Sequence, residues 1–279
     1  MLASLLLVFR EVLEAALIIS VVAAATRSVA GRNGWISGGI VIGIIGAALV
    51  ALFASQIANA MSGMGQEWFN AGVLLAAVLM IGWHVVWMAR HGRELATQMK
   101  AVGHDVSSGQ RPMTALLVVI ALAVLREGSE VVLFGYGLLA SGNALLPLIS
   151  GGVLGLVCGV ALGYAMYFGL LKIPMRHFFT ATNALMVLLA AGLASSAALY
   201  LVQADVLPAL IDPIWDTGGV LSDESIIGKT LHVLIGYSAA PNAMQMIFYA
   251  ATALILLVGM RAFRMPSNTA ISTNSNALA

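Results

Sequence analysis

Seven apolar stretches recur along this chain, near residues 2–25, 36–58, 68–89, 114–139, 147–171, 178–202 and 242–262. About 20 apolar residues in a helix cross the ~30 Å of bilayer hydrocarbon, so the pattern predicts an all-α polytopic membrane protein. Composition gives the same answer. Apolar residues make up 61% and charged residues 9% of the 279 positions, and mean hydropathy is +0.98. A soluble domain carries about 25% charge, so water cannot be what covers this surface. Lipid is the expected partner.

Basic residues set the expected orientation. Arg27, Arg32, Arg90, Arg93, Lys100, Arg111, Lys172, Arg176, Arg261 and Arg264 fall on one side of a seven-span arrangement, and Lys229 alone falls on the other. The positive-inside rule then places the N-terminus outside and the C-terminus inside. A net charge of +1 and the lack of a dense basic patch argue against nucleic acid. The single cysteine, Cys158, excludes disulfides within the chain and Cys-based metal clusters. Arg10, Glu11 and Glu14 interrupt the first apolar run, so that run is read as a retained span rather than a cleaved signal.

The charges inside the spans carry the chemistry. Arg10-Glu11-Val12-Leu13-Glu14 in span 1 and Arg126-Glu127-Gly128-Ser129-Glu130 in span 4 are two Arg-Glu-x-x-Glu motifs. An ungapped offset of 116 residues superposes them and also carries Gly39 onto Gly155 and Gly43 onto Gly159. Spans 1 and 4 run in opposite directions, so the expectation is an inverted repeat with a substrate site near the midplane. One transmembrane domain follows: repeat 1 over about 1–89, repeat 2 over about 114–202, an outer loop over about 203–241, the seventh span over about 242–262 and a disordered tail over about 265–279. Gly151, Gly155, Gly159 and Gly163 make one bare face on span 5, for packing within the bundle, for a dimer contact or for a sliding surface.

Within each motif the glutamates lie one helical turn apart on one face, and the arginine reaches the second of them. An ionised residue at mid-membrane costs about 2.5–3.5 kcal/mol, hence roughly 15–20 kcal/mol for six if simply added. They must therefore meet inside the bundle. Four carboxylates and two guanidiniums sum to a formal −2, and a cation is the natural missing partner. Carboxylates suit hard cations such as iron, magnesium, calcium or manganese. Salt bridges that only pin two spans together, or a proton relay, are the competing readings.

Lesser candidates accompany the motifs. His84 in span 3 is a third-helix ligand, a proton carrier or a histidine satisfied by a neighbour. Glu67, at the outer mouth of span 3, collects cations or is simply solvated. Ser222, Asp223 and Glu224 signal a helix start, and Ile226, Ile227, Leu231 and Leu234 then form a stripe ending before Gly236. An amphipathic helix on the outer membrane surface is expected there, with five nearby acids that attract metal, dock a partner or stay solvated.

The paired motifs, Ala190-Ala191-Gly192-Leu193-Ala194, Trp215-Asp216, Leu221-Ser222, Gly236-Tyr237 and Ala240-Pro241 resemble the oxidase-dependent iron permease family, which comprises the fungal high-affinity iron permeases and bacterial EfeU-type permeases. The resemblance covers nearly the whole chain. It implies a transporter rather than an enzyme, importing iron across a bacterial cytoplasmic (inner) membrane, with ferric iron the first expectation and ferrous iron the second. Iron is then cargo, and no permanently bound cofactor is implied. Glu11, Glu14, Glu127 and Glu130 match the iron-handling carboxylates, and Arg10 and Arg126 match the motif arginines. An extracytoplasmic ferroxidase or periplasmic iron-delivery protein is the implied partner; a homo-oligomer is left open. The chain departs from the family at Val12-Leu13 and Gly128-Ser129 inside the motifs, at Asn70 where an acid is usual, and at His84. The alternative function is export of small organic cations, or transport of another divalent metal, through the same acidic cavity.

Overall fold

The computed structural model describes residues 1–61, 65–168 and 175–262, with side chains omitted at 57–61, 89–96, 175–179, 226 and 233. The expected tail at 265–279 lies outside the described residues. Every regular element among the described residues is helical: α1 (Leu2–Ala25), α2 (Arg32–Met61), α3 (Gln66–Ser107), α4 (Thr114–Ala140), α5 (Leu145–Tyr167), α6 (Met175–Gln203), α7 (Ile226–Ile235) and α8 (Ala243–Ala262). Five of them, α2, α3, α5, α6 and α8, contain stretches long and apolar enough to cross a membrane. The helices α1 and α4 have 24 and 27 residues, and each carries one charged motif near its middle.

Polarity is inverted relative to a water-soluble protein. Ile44, Leu52 and Phe53 on α2, Val153 and Val157 on α5, and Leu254 and Ile255 on α8 point outward, while Arg10, Glu11, Glu14, His84 and Glu127 are buried. Small side chains make the centre of α6 compact: Ala190, Ala191, Ala194, Ala197 and Ala198 are nearly inaccessible.

The two motif helices are seated on glycine faces. All four glycines of the α5 stripe are buried, and they meet α1: Gly155 faces Leu5 and Phe9, Gly159 faces Val12 and Gly163 faces Ala16. This answers what the stripe packs on. On α2, Gly39 and Gly43 face Leu117, Ile120, Ala121 and Val124 of α4. A Cβ built on Gly159 would stand 2.7 Å from Val12 Cγ1, and one built on Gly128 would stand 2.6 Å from Ala47 Cβ. The larger residue is therefore on α1 in the first seam and on α2 in the second. That accounts for Val12 in one motif and Gly128 in the other.

Two connections differ from expectation. The third span was expected to end near residue 89, yet α3 continues through the polar segment beyond it to Ser107, so the helix runs about 63 Å at 1.5 Å per residue. Met99 and Val106 on this extension pack around Val22, Ile36 and Ile120, and Gly103 lies against Ala25 at the end of α1. An apolar face buried on other helices outweighs the extension's overall polarity.

The outer-loop helix also differs. It is capped by Ser225, whose Oγ accepts from Gly228 N at 2.9 Å, rather than by Ser222, which only accepts from Glu224 N at 3.2 Å. Gly236 ends it in the left-handed conformation at φ 70°, the usual glycine stop. The end of α7 packs against α6. Gly236 abuts Gly192, so closely that a Cβ on Gly192 would lie 2.8 Å from Gly236 Cα, and Leu234 joins the core. Three of the five loop acids bond within the loop itself: Asp216 accepts from Gly218 N (2.8 Å), Asp223 from Ala239 N (2.9 Å), and Glu224 pairs with Lys229 (3.3 Å).

Candidate metal centre

The centre lies where α1, α3, α4 and α6 meet. Residues three or four apart share a helix face, and both motifs use that face as the sequence predicts. On α1, Arg10 Nη1 donates to Glu11 Oε1 at 2.7 Å and Nη2 lies 2.8 Å from Glu14 Oε1. On α4, Arg126 Nε lies 3.3 Å from Glu130 Oε1 and 3.5 Å from Glu127 Oε1. The arginines are otherwise unlike. Arg10 is 1% exposed and Arg126 is 33% exposed, and the Arg126 guanidinium carbon sits 4.5 Å over the Trp87 ring, a cation–π arrangement.

His84 joins the two motifs. Its Nε2 lies 2.7 Å from Arg10 Nη2, and its Nδ1 contacts Glu130 Oε2. Arginine has donors and no acceptor, so the first contact is a hydrogen bond only when Nε2 carries a lone pair. The proton is then on Nδ1, where it is donated to Glu130. Glu14 Oε2 stands 3.7 Å from Nε2. A fourth helix contributes Asn183, whose Oδ1 accepts from Arg10 Nη2 at 3.4 Å.

Ligand atoms of Glu11, His84, Glu127 and Glu130 all lie within 4.8 Å of one another. The buried Oε2 atoms of Glu11 and Glu127 have no hydrogen-bond partner among the described residues. Each such orphan costs about 1–3 kcal/mol, more when charged. Three carboxylates and one imidazole, with oxygens left unsatisfied, match the donor set of a divalent or trivalent cation.

The expected site residues thus separate into three groups. Glu11, Glu127, Glu130 and His84 come together, and Glu14 stands beside them, held by Arg10. Glu67 and Asn70 do not join: Asn70 lies 14 positions before His84 on α3, about 21 Å along a helix, and Glu67 is exposed one turn earlier. Sequence reasoning missed Asn183 and the role of Trp87. Asn183 had a signal, since a polar residue inside an apolar span faces a partner.

Residues 1–266 match the Iron permease FTR1 family. The chain is 32% identical over 275 residues to the ferrous iron permease EfeU of Yersinia pestis, covering 95% of this chain and 94% of that protein. It is 32% identical over 267 residues to EfeU of Escherichia coli O6:H1, covering 94% of each. It is 30% identical over 277 residues to EfeU of Shigella sonnei, covering 98% of each. No solved structure matches. With two charged motifs converging on one carboxylate cluster in an apolar helical bundle, and with similarity along nearly its whole length, the chain belongs to the iron permease FTR1 family.

Proposed function

We propose that this transporter imports iron across the cytoplasmic membrane through the Glu11–His84–Glu127–Glu130 cluster, with ferrous iron as the preferred ion. One observation carries the reading: four ligand atoms within 4.8 Å of one another, in a chain of the iron permease family. The relatives are named as ferrous iron permeases. Charge favours the same ion. Four carboxylates and two guanidiniums leave −2, which a divalent ion neutralises and a trivalent ion turns to +1. An imidazole nitrogen is also a softer donor than a carboxylate and suits a divalent transition metal.

The architecture behind this reading is seven spans: two inverted three-helix repeats (α1–α3 and α4–α6) plus α8. Its support is the 116-residue offset and the exchanged seams, in which α5 carries α1 and α2 carries α4. The basic residues support an outside N-terminus. An extracytoplasmic partner that delivers iron and sets its oxidation state belongs to the same reading.

Binding has a definite proton sequence. His84 offers Nδ1 to the ion only after the proton shared with Glu130 leaves. Nε2 cannot then keep accepting from Arg10, because an imidazole lacking both protons is an anion. Nε2 takes up a proton and turns it toward Glu14 Oε2, now 3.7 Å away. Arg10 stays on Glu11 and Glu14. Glu14 thereby acts through His84, fixing its tautomer as outer partners of metal-bound histidines do.

Radioactive iron uptake into proteoliposomes tests the assignment. Glu11→Gln, Glu127→Gln and Glu130→Gln are expected to abolish uptake, while Glu14→Gln lowers it about 10–100-fold. Wild-type uptake by any of the first three, with protein in the membrane, overturns the site. Competition separates iron from organic cations: iron should quench Trp83 and Trp87 fluorescence, and lysine should not.

A further inference from the structure

Two crevices flank the cluster, one beside each motif arginine. The first lies between α1 and α6 and runs from Arg10 past Leu6 and Leu7 to Ala3, with Leu185 and Leu189 opposite. Leu234 of α7 lines it, and its free volume is about 20 Å³, no more than one water. The second lies between α4 and α3 and is lined by Arg126, Glu130, Trp83, His84 and Trp87, with a volume of about 230 Å³. The 116-residue offset carries Arg10 onto Arg126 and so α1 onto α4, but it does not carry the α6 lining at 182–189 onto the α3 lining at 83–87.

Direction follows from the helices. From Arg10 the first crevice climbs toward the N-terminus of α1 and the C-terminal half of α6. From Glu130 the second descends toward Arg126 and Trp87, and Trp87 is next to last in the apolar window Gln66–Met88 of α3. With the N-terminus outside, the first crevice leads outward and the second inward. Arg126, one third exposed in the second, needs water around it at a depth where lipid would be prohibitive.

We propose that these crevices are the two halves of the ion path, that this structure is the inward-open state, and that Trp87 is the positioning residue of the inner door. Trp87 holds the Arg126 guanidinium by its face, leaving Nε on Glu127 and Glu130 and the charge turned to the cavity. A cytosolic cation meets that charge first and is repelled. An incoming ion that takes over Glu127 and Glu130 removes the ion pairs holding Arg126, which then leaves the path along Trp87. On the outer side there is no such arginine in the open, because Arg10 is sealed by Leu234 and the end of α7. The outer door is α7, pivoting where Gly236 meets Gly192.

The proposal rests on the orientation used for the iron reading, and its test needs no ion. In a Cys158→Ala background, single cysteines are labelled with a membrane-impermeant maleimide in right-side-out and inside-out vesicles. Trp83→Cys is expected to react from the inside only. Leu185→Cys is expected to be unreactive from both sides, and to react from the outside once Leu234→Ala is added. Trp87→Ala should raise the inside labelling rate of Trp83→Cys several-fold, and Trp87→Phe should leave it near the parent rate. Labelling of Trp83→Cys from the outside, or from neither side, overturns the inner path. Silence of Leu185→Cys in the Leu234→Ala chain overturns the outer door, and equal rates for the Trp87 pair overturn the positioning role. Iron uptake lost or gained with this labelling pattern intact bears on the ion alone.

Discussion

Arg10 and His84, 74 positions apart in sequence, meet with Nη2 2.7 Å from Nε2, and this one contact sets the tautomer of the imidazole that Glu130 shares. It ties α1 to α3 at the level of both motifs. A charge-assisted hydrogen bond of this kind is worth about 1.5–3 kcal/mol. It also gives the empty site a state different from the loaded one.

The tautomer should therefore change on loading. In ¹⁵N spectra of histidine-labelled protein, His84 is expected to carry its proton on Nδ1 in the empty chain and on Nε2 with a bound diamagnetic divalent surrogate such as zinc. An unchanged Nδ1 proton would remove His84 from the ligand set.

The exchange conserves protons, and that gives a definite pH dependence. The proton that leaves Nδ1 is matched by the one Nε2 takes up, so the imidazole itself adds no slope to the binding profile. Titrating tryptophan quenching by iron under anaerobic conditions from about pH 6 to 7.5 should therefore show little change in affinity. A dissociation constant that falls about tenfold per pH unit would mean a net proton is released, against the exchange.

Replacing the imidazole is the sharper chemical test. His84→Ala removes a ligand and leaves the Arg10 terminal nitrogen and Glu130 without their shared partner. Uptake should fall at least about 100-fold, and His84→Asp should shift preference toward ferric ion by adding a hard, charged oxygen. Competition between the two oxidation states in one uptake assay reads this directly.

The seams predict a compensating pair. Gly128→Val forces a side chain against Ala47 and should cost about 1–3 kcal/mol, as overpacking does. Ala47→Gly in the same chain should restore part of it, with a coupling of roughly 0.5–3 kcal/mol. Thermal unfolding in detergent measures both. An additive double variant would place the two residues apart.

Much of this was legible in the sequence, and the gaps have physical causes. Apolar length located the long helices, and motif spacing placed each arginine on its second glutamate. The glycine stripe announced a close seam but not its partner, because a bare face fits any backbone. His84 could not be assigned, since one histidine in an apolar span carries no period to say which way it points. The depth of α7 was hidden for a similar reason. A stripe such as Ile227, Leu231 and Leu234 suits a lipid surface and a helical crevice equally; in the fold Leu234 packs against the core while Ile227 stays exposed. The α3 extension reads as a loop because charges dominate it, although its few apolar side chains fall on one face.

The exchanged seams also bear on how the chain is made. The helix α1 carries three charged residues, and the glycine face that covers its flank belongs to α5. Roughly 120 residues separate the end of one from the start of the other, on the order of 10 s of synthesis at ~5–20 residues per second. Through that interval the first charged helix has no permanent neighbour on that side, and it must be sheltered at the insertion machinery until the second half emerges. Assembly of this protein is thus a matter of timing as much as of packing.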